Sequence, residues 1–389
     1  MNNFEEKACT CALNRIFGFN PRIGTAMISH LGSASEVFRL SRRELEEMLG
    51  RESRYIGMIR PETIKEAHIE LKDLERMGIR FAGWKSAGYP QLLMECPDAP
   101  VGIYIRSTTP PEELWRPSRS IAIVGTRDIS PYGKEWCEKT VIAISCSQEK
   151  PLIVSGLALG TDICAHKCAL DSGLPTVAVM ATGPESVYPY RHKEFAQKLW
   201  KTPGCALITD YPPGTAPLAI HFLRRNRIIA GLSDTTILIE SKSRGGGMTT
   251  SRQAFSYDRD VLALPGRADD IRSQGCNRLI REKIAEPITS IEDLIKSLKL
   301  DNRYDAGRSS PSEILRQHFG KNCTQEQIVS MEMILDAIRN EKGITVEEAA
   351  IKTGMEYAKA SRIMGVLEME GLICIDLLQR CTLETKIFR

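Results

Sequence analysis

The sequence predicts an open, doubly wound α/β sheet, preceded by a helical domain and followed by a winged-helix domain. Three observations carry this. Six short, nearly all-apolar runs alternate with helix-compatible segments between Ser120 and about Ile280, the texture of a parallel sheet covered on both faces. Small residues follow most of those runs, as tight strand-to-helix turns require. On either side the pattern changes, to helices alone before the block and to helices with a terminal hairpin after it. A chain of 389 residues is long enough for two or three domains.

Composition sets outer limits. Hydrophobic residues make up 42% and charged residues 26% of the chain, values of an ordinary soluble globular protein. There is no apolar run long enough to span a bilayer. The start, MNNFEEKACTCALNRIF, has acids where a secretory leader has bases, so a cytoplasmic protein is expected. The twelve cysteines include no CxxC pair, and Cys164 and Cys168 share one helix face; reduced thiols are the reading, with no metal and no cofactor. A net charge of +3 argues against a histone-like binder. Any nucleic-acid site must come from local clustering.

Residues 1–80 read as short helices. Phe4–Phe17 is followed by the turn Gly18–Gly24 and a second helix, a helix-hairpin-helix (SAM-like) arrangement. Ser41 and Glu44 make a capping box, and Arg60–Met77 is a further helix with Pro61 in its first turn. Such a hairpin either contacts a DNA backbone through turn N–H groups or simply packs. Ile79–Ser120 holds six prolines and reads as a connector with one strand, Val101–Ile105.

The central domain, 81–295, carries its strands at Ile121–Val124, Leu152–Val154, Thr176–Met180, Ala206–Ile208, Thr236–Ile239 and Val261–Leu264. Its helices are Tyr132–Cys146, Thr161–Ser172, His192–Trp200, Ile220–Ala230 and Met248–Tyr257. This is a Rossmann-type alternation. Residues 296–323 are polar and read as a linker. From 324 to 389 come helices at Gln325–Asn340, Val346–Thr353 and Ala358–Glu370, then a hairpin of Leu372–Ile375 and Arg380–Leu383, the outline of a winged helix-turn-helix. That segment has 8 Lys+Arg against 11 Asp+Glu, a net charge of 8 − 11 = −3, which suits protein docking at least as well as DNA reading.

Open α/β sheets bind ligands where the loops at the strands' carboxyl ends converge. Here those loops are Gly125-Thr126-Arg127, Ser155-Gly156-Leu157, Ala181-Thr182-Gly183, Arg244-Gly245-Gly246-Gly247 and Pro265-Gly266-Arg267. Beside them lies HFLRRNRIIAGLS, 221–233, with Arg224, Arg225, Asn226 and Arg227. If this is a helix, its arginines are expected in the first turns, beside unpartnered N–H groups, where phosphate binds. Neither a GxGxxG fingerprint with its later acid nor a GxxxxGK[ST] loop is present. An anion crevice follows, without NAD and without a P-loop nucleotide. Asp162 and His166, four apart on a helix, are read as an orienting pair rather than an acid–base pair.

The central block resembles the DNA-processing protein A family (DprA, also called Smf). The resemblance rests on IAIVGTRDISPYG at 121–133, SGLALGTDICAHKCALDSG at 155–173, YPPGTAPLAIHFLRRNRIIAGLSDTTILIES at 211–241, DVLALPG at 260–266 and GCNRLI at 275–280, with AGYPQLLMECPDAP at 87–100 before them. It implies an extended Rossmann domain that binds single-stranded DNA, is not a catalyst, and dimerises through that domain. It further implies protection of incoming strands and loading of the RecA recombinase in natural transformation and recombination. The site residues it implies are Gly125, Thr126, Arg127, Ser155, Gly156, Phe222, Arg224, Arg225, Asn226, Arg227, Arg244 and Gly246. Leu223 stands where the family has proline, the glycine loop is looser and more basic, and Lys283-Ile284-Ala285 departs from the usual ending. The arginines suit phosphates, and Phe222 is either a shelf for bases or a core residue.

Two rivals belong to other classes. The glycine-rich GGGMTTSRQA resembles loops of phosphoribohydrolases acting on nucleoside monophosphates, with Glu240 as lone catalytic candidate. A transcription regulator led by the winged helix is disfavoured by its acidic balance.

Overall fold

The apolar runs become strands because both faces of each are covered. Ile123, Val154, Val177 and Ile237 are fully buried, each adding about 1.5–3 kcal/mol over exposure. The computed structural model describes residues 3–300, 315, 319, 323–341, 343–376 and 379–383. The chain divides into two compact units, Met1–Asp301 and Asn302–Arg389.

The first unit opens with helices α1 (Asn3–Phe17), α2 (Pro21–Leu31), α3 (Ala34–Val37), α4 (Arg42–Leu49) and α5 (Pro61–Arg76). Local chemistry sets their limits. Proline occupies the first turn of α2 and α5, and the Ser41–Glu44 capping box starts α4. Gly32 ends α2 in the left-handed region at φ 88°.

Next come β1 (Ile79–Gly83), α6 (Gln91–Met94), β2 (Gly102–Arg106) and α7 (Pro111–Leu114). The connector thus holds two strands, not one, and both join the main sheet. The register Phe81↔Tyr104 pairs them antiparallel, and β2 runs antiparallel to β6 (Ala206–Thr209). The first strand was hidden because IRFAG carries a charge and a glycine in five residues. Such a short piece has no clear alternation, and only pairing gives it a place. Asn14 of α1 locks the helices to this edge: its amide donates to the Asp210 carbonyl at 3.0 Å and accepts from Gly102 N–H at 3.1 Å. Tyr104, fully buried, donates to Glu70 of α5 at 2.6 Å.

The rest of the sheet is β3 (Ser120–Val124), β4 (Leu152–Ser155), β5 (Thr176–Val179), β6, β7 (Thr235–Leu238), β8 (Asp260–Ala263) and β9 (Glu286–Pro287). Between them lie α8 (Pro131–Ser145), α9 (Thr161–Asp171), α10 (Lys193–Lys201), α11 (Ala219–Gly231), α12 (Gly246–Ser256) and α13 (Gln274–Arg281), with α14 (Ile291–Ser297) last. The strand order is β1-β2-β6-β5-β4-β3-β7-β8-β9. β3 to β9 are parallel, while β2 pairs antiparallel with both β1 and β6, so the sheet is mixed. The chain moves from β3 outward to β6, then returns to place β7 on the other side of β3. Between β3 and β7 lies the switch point, where an open sheet has its ligand crevice.

In the second unit, α15 (Gln325–Asn340), β10 (Ile344–Thr345), α16 (Val346–Thr353), α17 (Tyr357–Met369), β11 (Ile373–Ile375) and β12 (Arg380–Leu383) surround a core that includes Ile334, Leu335, Met364 and Leu367. Its sheet has the order β10-β12-β11. Most of the expected linker, 301–314, 316–318 and 320–322, lies outside the described residues. Among the described residues no helix is long and apolar enough to cross a membrane.

Candidate nucleic-acid interface

At the switch point three stretches converge: the loop after β3, the loop leading into α12, and the outward side of α11. They enclose a crevice of about 610 Å³ lined by Gly125, Thr126, Arg127, Phe222, Arg225, Asn226, Arg244 and Gly246, with Asp162, Tyr188 and Lys242 among others. Close approach of the loops is possible because Gly247 has no side chain. A Cβ there would sit 2.6 Å from Leu238 Cδ1 and 3.3 Å from Gly125 Cα. Thr161 N–H donates to the Thr126 carbonyl at 3.1 Å and ties the first loop to α9.

Arg127 is exposed, and its guanidinium lies 5.3 Å from the centre of the Phe222 ring. Tyr188 meets Phe222 edge-on at 5.4 Å. Lys242 and Arg244 are exposed on the opposite rim. The first turn of α12 begins at Gly246 with no side-chain cap, so its N–H groups add positive potential. Asn226 holds that turn by donating to the Gly246 carbonyl at 3.4 Å.

The floor is Arg225, 3% exposed. Its Nη1 donates to the Val179 carbonyl at 2.8 Å, the C-terminal residue of β5. Burial pulls the guanidinium down to about 10; the carboxylate of Asp162 works the other way, and Arg127 adds to the lowering. Asp162 is itself pushed up by burial, with Arg225 opposing. Its Oδ2 accepts from Gly156 N–H at 3.1 Å and Ala158 N–H at 3.3 Å, fixing the loop after β4. His166 is buried behind it with Nδ1 2.8 Å from Thr176 Oγ1.

The arginine cluster is not what its sequence suggests. The helix begins at Ala219, so Arg224, Arg225 and Arg227 fall in its second and third turns, where N–H groups are already bonded along the helix. Helical periodicity turns Arg225 away from Arg224 and Arg227, which share a face three residues apart and differ in what they meet. Arg227, 5% exposed, pairs with Asp210 at 2.5 Å and donates to the Asp98 carbonyl. Arg224 donates to the Gly18 carbonyl and lies 4.1 Å over the Phe19 ring, facing the N-terminal helices. Neither lines the crevice. Ser155 is also outside it, fully buried and donating to the Ile123 carbonyl at 2.6 Å. Gly156 acts by its size, since a Cβ would fall on the Arg225 guanidinium and 2.7 Å from Asp162 Oδ2.

Glu240, 1% exposed, accepts from Ser130 N–H at 2.9 Å and from Ser130 Oγ at 2.5 Å, and so anchors the start of α8. Sequence reasoning missed Tyr188 and Lys242. Tyr188 had a signal in the aromatic pair of VYPYRH, whereas Lys242 had only its nearness to the glycine loop. Among the described residues no group of three or more His, Cys, Asp or Glu side chains is placed to hold a metal.

Comparison with known proteins gives the family. Residues 80–299 match the family described as DNA recombination-mediator protein A. The DNA processing protein DprA of Streptococcus pneumoniae is 38% identical over 207 residues, 53% of this chain and 70% of that protein. Its Bacillus subtilis counterpart is 33% identical over 221 residues, 57% of this chain and 72% of that protein. The X-ray structure of the Streptococcus pneumoniae protein superposes with a TM-score of 0.53 at 32% identity, covering 67% of this chain and 92% of that one. DNA processing protein A of Helicobacter pylori, whose structure was described for its single-stranded DNA binding mode, gives 0.50 at 26% identity over 56% of this chain and 95% of that one. The match spans the whole sheet block and not merely one motif, and the chain belongs to the DNA recombination-mediator protein A family, with a DNA-processing role in recombination.

Proposed function

We propose that the crevice binds single-stranded DNA, with phosphates held by Arg127, Lys242, Arg244 and the N-terminus of α12, and a base laid against Phe222 and Tyr188. The observation that carries this reading is Arg127 beside Phe222, an exposed cation and a half-buried ring at the switch point. A single strand needs both, a charge for its backbone and an aromatic face for a base that has lost its partner. Duplex DNA keeps its bases stacked and paired, leaving no free base face for the ring. Arg225 forms the crevice floor, held by its bond to the Val179 carbonyl. The larger role in this proposal is that the chain shelters incoming single strands and passes them to the RecA recombinase, acting as a homodimer joined through the sheet domain; the DNA-processing role of the family supports it. In this reading the 1–80 helices extend the sheet domain of 81–295, residues 296–323 link, and 324–389 docks a protein.

The test is binding of labelled oligo-dT across a salt series, with the full chain and with Arg127→Ala. Each phosphate neutralised contributes a slope of about −0.7 in log affinity against log salt for single strands. Tight, salt-sensitive binding and a shallower slope in the variant are expected. Equal binding by both proteins would remove the crevice from the reading.

A further inference from the structure

The crevice does not end at Phe222. Leu223, which lines it, is 50% exposed, and the next residue, Arg224, turns away to the N-terminal helices. There its guanidinium lies 4.1 Å from the centre of the Phe19 ring and donates to the Gly18 carbonyl. His221 reaches the same ring at 6.1 Å. Despite these two neighbours Phe19 is 58% exposed. The ring is therefore oriented by its partners on one side and open to solvent on the other.

The surroundings of Phe19 give the chemistry of what it meets. Leu218, just before α11, and Ile220 and Leu223 within it are each about half exposed, so the start of this helix presents apolar surface beside the crevice that Leu223 lines. Beyond the ring the surface turns basic. Asn20 donates to the Tyr55 hydroxyl at 2.5 Å, and Arg54 donates to that same hydroxyl at 3.2 Å while lying 5.1 Å from the centre of the Tyr55 ring. Arg22, Arg51 and Arg54 are all exposed, with Glu52 the acid among them. An aromatic face on an apolar floor, followed by guanidiniums, repeats the arrangement of Arg127 and Phe222 inside the crevice.

The geometry points to Phe19 as a second stacking platform: a nucleotide of the single strand, on leaving the crevice, lays its base on the open part of the Phe19 ring while its phosphate faces Arg22 and Arg54. This rests on the reading of the crevice as a single-strand site. It gives the Gly18–Gly24 turn a contact made by a side chain. The backbone of that turn is already engaged, with Asn20 N–H on the Phe17 carbonyl at 2.7 Å and Ile23 N–H on the Asn20 carbonyl at 3.1 Å. It also gives Arg224 a positioning role, latching the platform to α11.

Titration of the full chain with a thymidine dinucleotide and with a long oligo-dT separates the two platforms. For Phe19→Ala we expect unchanged affinity for the dinucleotide and a loss of about tenfold on the long strand, the alanine cost of one stacked base. Phe19→Trp should restore the long-strand affinity, and its emission should be quenched only by strands long enough to leave the crevice. Arg54→Ala should flatten the long-strand salt slope by about 0.7. The inference is overturned if Phe19→Ala binds the long strand as well as the parent. It is equally overturned if that variant loses the dinucleotide to the same degree, which is the mark of a damaged crevice. If the parent binds neither ligand, the crevice reading itself fails.

Discussion

Arg227 and Asp210 form an ion pair at 2.5 Å with each side chain only 6% exposed. The pair joins α11 to the end of β6, and the second Arg227 nitrogen donates to the Asp98 carbonyl in the segment before β2. Three parts of the chain distant in sequence meet on one guanidinium. Removing one partner of a buried pair strands the other charge, a loss of about 3–5 kcal/mol. Arg227→Ala is therefore expected to lower the urea midpoint sharply, while Arg127→Ala, an exposed side chain, leaves it nearly unchanged.

Phe222→Ala should weaken long oligo-dT binding by about tenfold at fixed salt, since base stacking on a ring is worth about 1–3 kcal/mol. Because phosphates are not involved, the salt slope should stay that of the parent. Phe222→Tyr should bind normally. A variant with altered slope and intact affinity would mean that the ring holds Arg127 in place and carries no base.

Gly156→Ala tests the floor. A methyl group there meets the Arg225 guanidinium and Asp162 together, and neither can move freely because both are buried. Overpacking of this kind costs about 1–3 kcal/mol. Thermal unfolding should register that loss, and oligo-dT affinity should fall with it as Arg225 is displaced.

Acid stability should depend on His166. Burial, aided by Arg225 and His192, pulls this histidine from 6.5 to about 3. The unfolded chain takes up the proton first, so stability is full above about 6.5 and falls as pH drops toward 3, by up to about 1.4 kcal/mol per unit. Urea titrations from neutral to acid pH should show a gentler decline for His166→Gln than for the parent. Parallel declines in the two proteins would show that other groups carry the acid sensitivity.

The sequence makes the alternation of strand and helix between Ser120 and Leu264 legible, because those strands are buried almost throughout and are mostly apolar, with Thr235, Thr236 and the exposed Asp260 among the departures. It also determined the glycine-rich loops at the strand ends and Arg127, whose exposed charge follows a strand at once. Which arginine does what depends on long-range contacts. Arg224, Arg225 and Arg227 are chemically alike and nearly adjacent, but the helix turns Arg225 away from the other two, and Arg224 and Arg227, which share a face, part only through their partners. One meets Phe19, one the crevice floor and one a carboxylate on β6, and those partners come from residues 19, 179 and 210. The edge strand β1 was equally invisible, since five residues with a charge and a glycine acquire a strand's identity only by pairing. Local pattern specifies which segments are regular and which are loops; long-range contact specifies which side chains share a site.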